Sequence, residues 1–273
     1  MENYSVLMSV YNKDNPEWLK VSLDSIINQD VKPAEIVVIK DGKLNEELNR
    51  ILETMAENNP GIFKFYQFDK NVGLGLALQK GITICTNELI ARMDADDYAS
   101  ADRCKKQLNR FATQPDLDLV GSNVFEFTGN IENIVSKVNL PENHKDIVKF
   151  AKKRCPIRHP ALMYRKSMVL KAGNYDDFKH AQDYELIVRM LLSGAKMYNI
   201  QEYLTYMRIS EEFYKRRGGW QQLKLIIRLK TKFYRSGFYD LPDYIISTLG
   251  NCIICMMPNS IRAFFYMKFL RKS

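Results

Sequence analysis

The sequence predicts an α/β fold in which a mostly parallel sheet carries helices on both faces. Between residues 4 and 93, short apolar runs alternate with stretches of helical periodicity, and turn residues separate them. This alternation is typical of successive β-α-β units, whose strands run parallel. Strands are expected at 4–10, 35–39, 62–68 and 88–93, and helices at 17–29, 44–58 and in the segment that leads from Asn71 to Gly81.

The rest of the chain has a more mixed pattern. The whole chain has 273 residues, which suits one large or two small domains with an ample core. Strands are expected at 117–127, followed by a hairpin around Thr128-Gly129-Asn130, and at 161–164. Helices are expected at 103–113, 144–153, 183–193 and from Trp220 onward.

Composition is that of an ordinary globular protein, with 46% apolar and 26% charged residues. The five cysteines lack the spacing of a disulfide framework, which predicts a reducing compartment. Cys252 and Cys255 lie on an apolar stretch, where a packed helical face is favoured over zinc or redox chemistry. The N-terminal residues lead directly into a strand and show no signal-peptide pattern.

The segment Met93-Asp94-Ala95-Asp96-Asp97 follows a predicted strand and places three carboxylates within four residues. Such charges repel one another unless a positive group lies among them. Carboxylates spaced in this way on a tight loop form a hard oxygen site for Mg²⁺ or Mn²⁺. The alternative is a solvated acidic turn that opens a helix, with Asp97 or Ser100 as its N-cap.

Two further polar clusters follow predicted strands. Tyr11 and Asn12 follow the first strand, and Lys40-Asp41-Gly42 follows the second. Because ligands of parallel sheets bind beyond the carboxyl ends of the strands, these clusters and the acidic loop are expected to meet in one crevice. Asp183 begins a later helix, where it is either a proton acceptor for a hydroxyl group or a plain N-cap.

The order of these features resembles glycosyltransferase family 2, whose members have the GT-A fold. Five motifs between about residues 4 and 210 carry the resemblance: Ser9-Val10-Tyr11-Asn12, Val37-Val38-Ile39-Lys40-Asp41-Gly42, Asn71 to Leu78, Asp94-Ala95-Asp96-Asp97, and Gln182-Asp183-Tyr184-Glu185-Leu186. Three positions depart from the family pattern, since Lys40 replaces an Asp, Lys43 a Ser and Gln182 a Glu.

The resemblance implies an inverting enzyme that uses a UDP-sugar and Mn²⁺ or Mg²⁺. Its acceptor would be a glycan or a lipid-diphosphate-linked sugar in bacterial surface-polysaccharide synthesis, at the cytoplasmic face of the cell membrane. Residues 1–210 would form the catalytic domain, with a nucleotide-sugar-binding half at 1–115 and an acceptor-binding half at 116–210. A basic, amphipathic helical region would follow at 211–273.

Roles for individual residues follow from the leaving group and the nucleophile. A nucleoside diphosphate leaving group needs a metal ion, which is expected on Asp96 and Asp97. A sugar hydroxyl needs a base to take its proton, and Asp183 is expected in this role. Asp41 is expected to accept from a uracil N–H, and Tyr11 to stack on the base. The remaining candidates are Asn12, Asn71, Asp94 and Arg208 for the donor, His159 and Gln182 for the acceptor, His180 for the metal, and Lys215 to Arg217 for the diphosphate or as a solvated basic loop.

The C-terminal region is strongly basic. Residues 208–273 hold 13 Lys or Arg and four Asp or Glu, a net +9 against +8 for the whole chain. No apolar run is long enough to span a membrane, so an interfacial anchor is predicted, with packing on the catalytic domain or a second subunit as the alternative. Nucleic acid is not an expected partner. The rival functions are a sugar-nucleotide pyrophosphorylase and a non-catalytic basic peripheral-membrane protein.

Overall fold

The computed structural model describes residues 2–178, 181–210 and 218–258. One nine-stranded sheet forms the centre of this part of the chain. Its strands are β1 Tyr4–Val10, β2 Glu35–Lys40, β3 Phe63–Gln67, β4 Leu89–Arg92, β5 Tyr98–Ala99, β6 Leu119–Phe127, β7 Ile134–Val138, β8 Met163–Arg165 and β9 Met197–Arg208. The helices are α1 Pro16–Ile27, α2 Glu46–Asn58, α3 Leu74–Ile84, α4 Arg103–Thr113, α5 His144–Ala151, α6 Lys166–Lys171, α7 Gln182–Leu192, α8 Trp220–Arg235 and α9 Leu241–Met256.

The first four long strands confirm the predicted parallel unit. The sheet order is β3-β2-β1-β4-β8-β6-β9-β5, with β7 paired to β6. All pairs from β3 to β4 are parallel, whereas β8 is antiparallel to both β4 and β6. The carboxyl ends of β1, β2 and β4 therefore lie side by side, which places their following loops at one edge of the sheet.

Strands β1, β2 and β4 of the parallel unit are buried on both faces. In β1, Val6 and Met8 pack with α1 and α2, whereas Leu7 packs with Leu78 and Ile82 of α3. Successive side chains of a strand point to opposite faces, so an apolar run without polar alternation is required here. This continuous apolar pattern is why periodicity located these strands to within one or two residues.

The second half contains elements that the sequence analysis missed. The longest strand, β9, was not predicted, because exposed Gln201 and Glu202 interrupt its apolar pattern and its pairing with β6 shifts register near Asn123. The two-residue β5 and the six-residue α6 are too short to give a periodic signal. The expected strand at 161–164 lies at 163–165 and follows a 3₁₀ turn at His159–Ala161.

Helices α8 and α9 pack against each other, and α8 packs on α7. Leu229 and Phe233 of α8 join Tyr184 and Val188 of α7 in a third apolar cluster. Lys232 of α8 forms ion pairs with Glu185 and Asp176. Packing on the catalytic body, one of the two alternatives for this region, thus holds for α8 in the described part of the chain.

Helix α9 leaves most of its apolar side chains exposed. Cys252 and Cys255 lie on this helix, as predicted for a helical face. None of the helices in the described ranges is both long and apolar enough to cross a membrane. The exposed apolar residues of α9 are Leu241, Ile245, Ile246, Leu249, Ile253 and Met256.

Candidate active site

Four carboxylates face one crevice at the carboxyl ends of β1, β2 and β4. Asp14, in the turn after β1, accepts a hydrogen bond from the backbone N–H of Tyr11 at 2.9 Å. Burial and the charges of Asp96, Asp94 and Asp41 raise the pKa of Asp14 to about 7, against that hydrogen bond. The predicted convergence of the three strand ends is therefore present. Asp14 itself was missed, because its turn offered no metal-binding or catalytic spacing.

The acidic loop after β4 has the geometry of a cation site. Oxygens of Asp94, Asp96 and Asp97 lie within 4.8 Å of one another. Ser22 of α1 fixes the loop by donating its hydroxyl to the carbonyl of Asp94 at 2.7 Å. The alternative of a helix cap is wrong, since Asp102 occupies the N-cap of α4 without a side-chain hydrogen bond.

Arg92, the last residue of β4, supplies positive charge beneath this loop. Its side chain is 1% exposed and forms an ion pair with Asp94. Burial opposes the charge of Arg92, but Asp94 and Asp97 hold its pKa above the ordinary value. The sequence analysis assigned the whole compensating charge to a metal ion. That assignment was incomplete, because a buried arginine already neutralises part of the cluster.

Arg208, the last residue of β9, closes the other side of the loop. Its backbone N–H donates to Asp97 at 2.7 Å, and its Nε donates to the carbonyl of Asp96 at 3.1 Å. Its guanidinium lies over the rings of Trp18 and Phe127, at 4.3 and 4.4 Å from their centroids. Arg208 is thus held beside the acidic loop, where its predicted contact with the donor stays a prediction.

The charges of this loop remain unbalanced after both arginines are counted. Burial and the charge of Asp94 raise the pKa of Asp96 to about 6. Burial and the charges of Asp96 and Asp94 raise the pKa of Asp97 well above its ordinary value. A hard divalent cation relieves such crowding and is bound by carboxylate oxygens, so the donor set fits Mg²⁺ or Mn²⁺. His180 lies outside the described residues.

Asp41 holds the loop that leads into α3. Its buried carboxylate accepts from Asn71 Nδ2 at 3.0 Å and from the N–H groups of Val72 at 2.7 Å and Gly73 at 3.1 Å. Gly42 (φ +91°) allows the close approach, since a Cβ there would lie 2.8 Å from Asn71 N. Asp41 and Asn71 therefore form one structural unit. The predicted uracil contact of Asp41 would add to this function.

Asp183 lies in the first turn of α7 and contacts Cys155, whose Sγ is 3.8 Å from its Oδ2. The alternative of a plain N-cap is wrong, because Ala181 occupies that position, with φ +113°. Burial raises the pKa of Asp183, whereas the N–H of Tyr184 and the charges of Arg158 and Arg92 oppose the rise. Arg92 therefore acts on both Asp183 and the acidic loop.

The two acceptor candidates lie in different environments. Gln182 is 8% exposed and lines a cavity of about 250 Å³ between the N-termini of α3 and α7. His159 is buried, and its Nε2 shares a 2.9 Å hydrogen bond with the hydroxyl of Tyr175. Burial lowers the pKa of His159 well below its ordinary value, and the charge of Arg92 adds to the effect. His159 is thus held in its neutral form beside Tyr175, and its predicted contact with the acceptor stays a prediction.

The parallel half-sheet, the acidic loop after β4 and the carboxylate at the start of α7 define a sugar-nucleotide transferase of the GT-A fold. Residues 5–172 match the family described as "Glycosyl transferase family 2", and the chain belongs to that family. It is 33% identical to the UDP-Gal:alpha-D-GlcNAc-diphosphoundecaprenol beta-1,3-galactosyltransferase of Escherichia coli, over 98% of this chain and 97% of that one.

A second relative and a solved structure are also similar to this chain. The amylovoran biosynthesis glycosyltransferase AmsE of Erwinia amylovora is 32% identical, over 97% of this chain and 98% of that one. The fold resembles S. aureus TarS 1-349 in complex with UDP-GlcNAc, with a TM-score of 0.69, 15% identity, and coverage of 98% of this chain and 76% of that chain. This last similarity concerns the fold alone.

The buried pair of Arg92 and Asp94 generates a prediction about stability. Arg92→Met leaves Asp94 without its partner and should lower the free energy of unfolding by about 3 kcal/mol, the low end for a broken buried pair, because Asp94 is 31% exposed. In the double variant Arg92→Met/Asp94→Asn the stranded charge is gone, so part of the loss should return. Urea denaturation of the wild type, both single variants and the double variant measures the coupling. Additive effects would contradict the pairing.

Proposed function

We propose that this protein is an inverting, metal-dependent transferase that moves a sugar from a UDP-sugar to a hydroxyl of a lipid-diphosphate-linked sugar, in bacterial surface-polysaccharide synthesis. The observation that carries the proposal is the placement of two acidic groups around one crevice. The Asp94 to Asp97 loop is suited to a metal-bound diphosphate. Asp183 lies near enough to this loop for the charge of Arg92 to act on the carboxylates of both.

A divalent cation is proposed on Asp96 and Asp97. When bound, it would neutralise the charge that develops on the departing diphosphate. Asp94, held by Arg92, would be oriented toward the ribose or a metal-bound water. A structural neighbour, the mannosyltransferase PcManGT from Pyrobaculum calidifontis, has been solved with GDP-Man and Mn²⁺, with a TM-score of 0.66 and 14% identity.

The donor nucleotide is proposed to occupy the ends of β1 and β2. Tyr11 is 41% exposed, and its ring is proposed to stack on the base. Asn12 and Asn71 are exposed beside it. Support for UDP comes from the UDP-Gal donor of the Escherichia coli relative and from the UDP-GlcNAc complex of TarS.

Transfer would proceed by one displacement at the anomeric carbon. The acceptor oxygen forms the new bond to this carbon, the bond to the β-phosphate oxygen breaks, and the acceptor proton passes to a carboxylate oxygen of Asp183. The raised pKa of Asp183 makes it a stronger base than an exposed aspartate. A single in-line step inverts the centre and needs no carboxylate on the opposite face of the sugar.

The hairpin of α8 and α9 is proposed to lie on an anionic membrane surface. The exposed apolar face of α9 would enter the acyl boundary, since Ile246 is 73% and Ile253 is 61% exposed. One face of α8 exposes Trp220 together with Lys224, Arg228 and Arg235. Apolar, aromatic and basic side chains in this arrangement are typical of interfacial binding. The basic residues from 259 onward lie outside the described residues.

Asp183→Asn tests the base. The substitution is nearly isosteric, so affinity for the UDP-sugar should persist while turnover falls roughly 10²–10⁴-fold. In the parent, kcat/KM should decline on acidification at a higher pH than an ordinary aspartate would give, because the base is lost as the pH falls through its raised pKa. NMR of the product should show a β-linkage from an α-linked donor.

The exposed Asp177 is the alternative candidate for the base and serves as the control in this test. Asp177→Asn removes a carboxylate near the same cavity and should leave turnover within a few-fold of the parent. Near-normal turnover of Asp183→Asn, combined with loss in Asp177→Asn, would move the base to Asp177. An α-linked product would contradict the single displacement.

Ile246→Glu/Ile253→Glu tests the membrane surface. The two charges should abolish binding to vesicles of anionic lipid at low salt while leaving UDP affinity unchanged, because neither side chain packs in the core. Vesicle sedimentation measures the first effect and calorimetry the second. The alternative is that a second copy of the chain covers α9. Size-exclusion chromatography tests it, since such a dimer would dissociate in this variant. Equal vesicle binding by parent and variant would refute the membrane assignment.

A further inference from the structure

Arg158 lies close enough to Asp183 for its charge to lower the pKa of that carboxylate. It precedes the 3₁₀ turn at His159–Ala161, and its side chain is partly buried. Its Nε is buried and has no hydrogen-bond partner in the part of the chain that the structure describes. Leaving a buried charged donor unsatisfied is costly, so this nitrogen is suited to an acceptor that a ligand supplies. The planar guanidinium matches the oxygens of a phosphate or carboxylate.

The segment that carries Arg158 connects the membrane-facing hairpin to the proposed base. At residue 152, Lys152 forms an ion pair with Asp243 of α9. Three residues before Arg158, the thiol of Cys155 lies against the carboxylate of Asp183. Arg158 therefore belongs to a short stretch that contacts both α9 and the catalytic centre.

Three features of the protein match the chemistry of the three parts of a lipid-diphosphate-linked sugar. The acceptor has an apolar chain, a diphosphate and a sugar hydroxyl, in that order. The protein offers the exposed apolar face of α9, the guanidinium of Arg158, whose Nε has no hydrogen-bond partner among the described residues, and the carboxylate of Asp183. A sugar held with its hydroxyl at Asp183 has its diphosphate within one sugar length of that carboxylate.

We propose that Arg158 binds the diphosphate of the acceptor and so selects a phosphate-linked sugar over a free glycan. The inference rests on the proposed function and adds the residue that recognises the acceptor class. Charge-assisted hydrogen bonds from a guanidinium to phosphate are among the stronger protein contacts. Arg158 would act on acceptor binding and leave donor binding unaffected.

The competing role for Arg158 is to adjust Asp183 alone. Its charge lowers the pKa of Asp183, against the effect of burial. In that case, removal of the charge would change the reaction of every acceptor and shift the acidic limb of the pH profile. Recognition of phosphate, in contrast, affects only acceptors that carry it.

The test compares two synthetic acceptors, an N-acetylhexosamine diphosphate with a short alkyl chain and the corresponding alkyl glycoside without phosphate. Arg158→Met should raise KM for the diphosphate acceptor roughly 10–100-fold, as expected for loss of charged hydrogen bonds. The KM for the phosphate-free acceptor should stay within about twofold of the parent value. Arg158→Lys should recover part of the loss. Lys153→Met is the matched control, because it removes an exposed charge from the same segment.

Equal losses on both acceptors, or no loss on either, would overturn the assignment. Unchanged UDP affinity shows that the variant is folded. If the parent transfers sugar to neither acceptor, the proposed function is wrong in its acceptor. Equilibrium binding of the diphosphate acceptor then decides the inference independently: weaker binding to Arg158→Met supports it, and equal binding to parent and variant refutes it.

Discussion

The crowding of carboxylates at the end of β4 is the constraint on which the rest of the site depends. Asp94, Asp96 and Asp97 share a volume that cannot hold three bare charges. Arg92 compensates from below, and Arg208 restrains the loop from the other side. Burial and the neighbouring carboxylates raise the pKa values of Asp96 and Asp97, against the charges of the two arginines. A set of crowded carboxylate oxygens of this kind fits a hard divalent cation.

The C-terminal helices form part of the same arrangement. Lys232 of α8 is 2.7 Å from the buried Glu185, which also binds Arg189. Because Glu185 follows Asp183 by two residues, α8 fixes the helix turn that carries the proposed base. The α8–α9 hairpin and the start of α7, which carries the proposed base, are thus connected by packing.

Particular residues show what the sequence could predict. The strands that precede Tyr11, Asp41 and Asp94 are buried on both faces, so their apolar runs and the polar residues after them were readable without a structure. Asp14 and Arg92 were not found, because each acts through burial and through neighbours distant in sequence. The strand β9, which delivers Arg208, was hidden by exposed polar residues and a register shift. Tertiary contact, which pattern alone does not contain, determined all three.

The central claim is that Asp96 completes a metal site for the donor diphosphate, and calorimetry of UDP binding tests it most directly. The parent should bind UDP tightly with Mn²⁺ and weakly after EDTA treatment. Asp96→Asn should lose the manganese-dependent part of the affinity. Asp24→Asn, a matched change at an exposed carboxylate of α1 paired with Lys20, should keep it. Parent affinity that is indifferent to EDTA, or full manganese dependence in Asp96→Asn, would contradict the account.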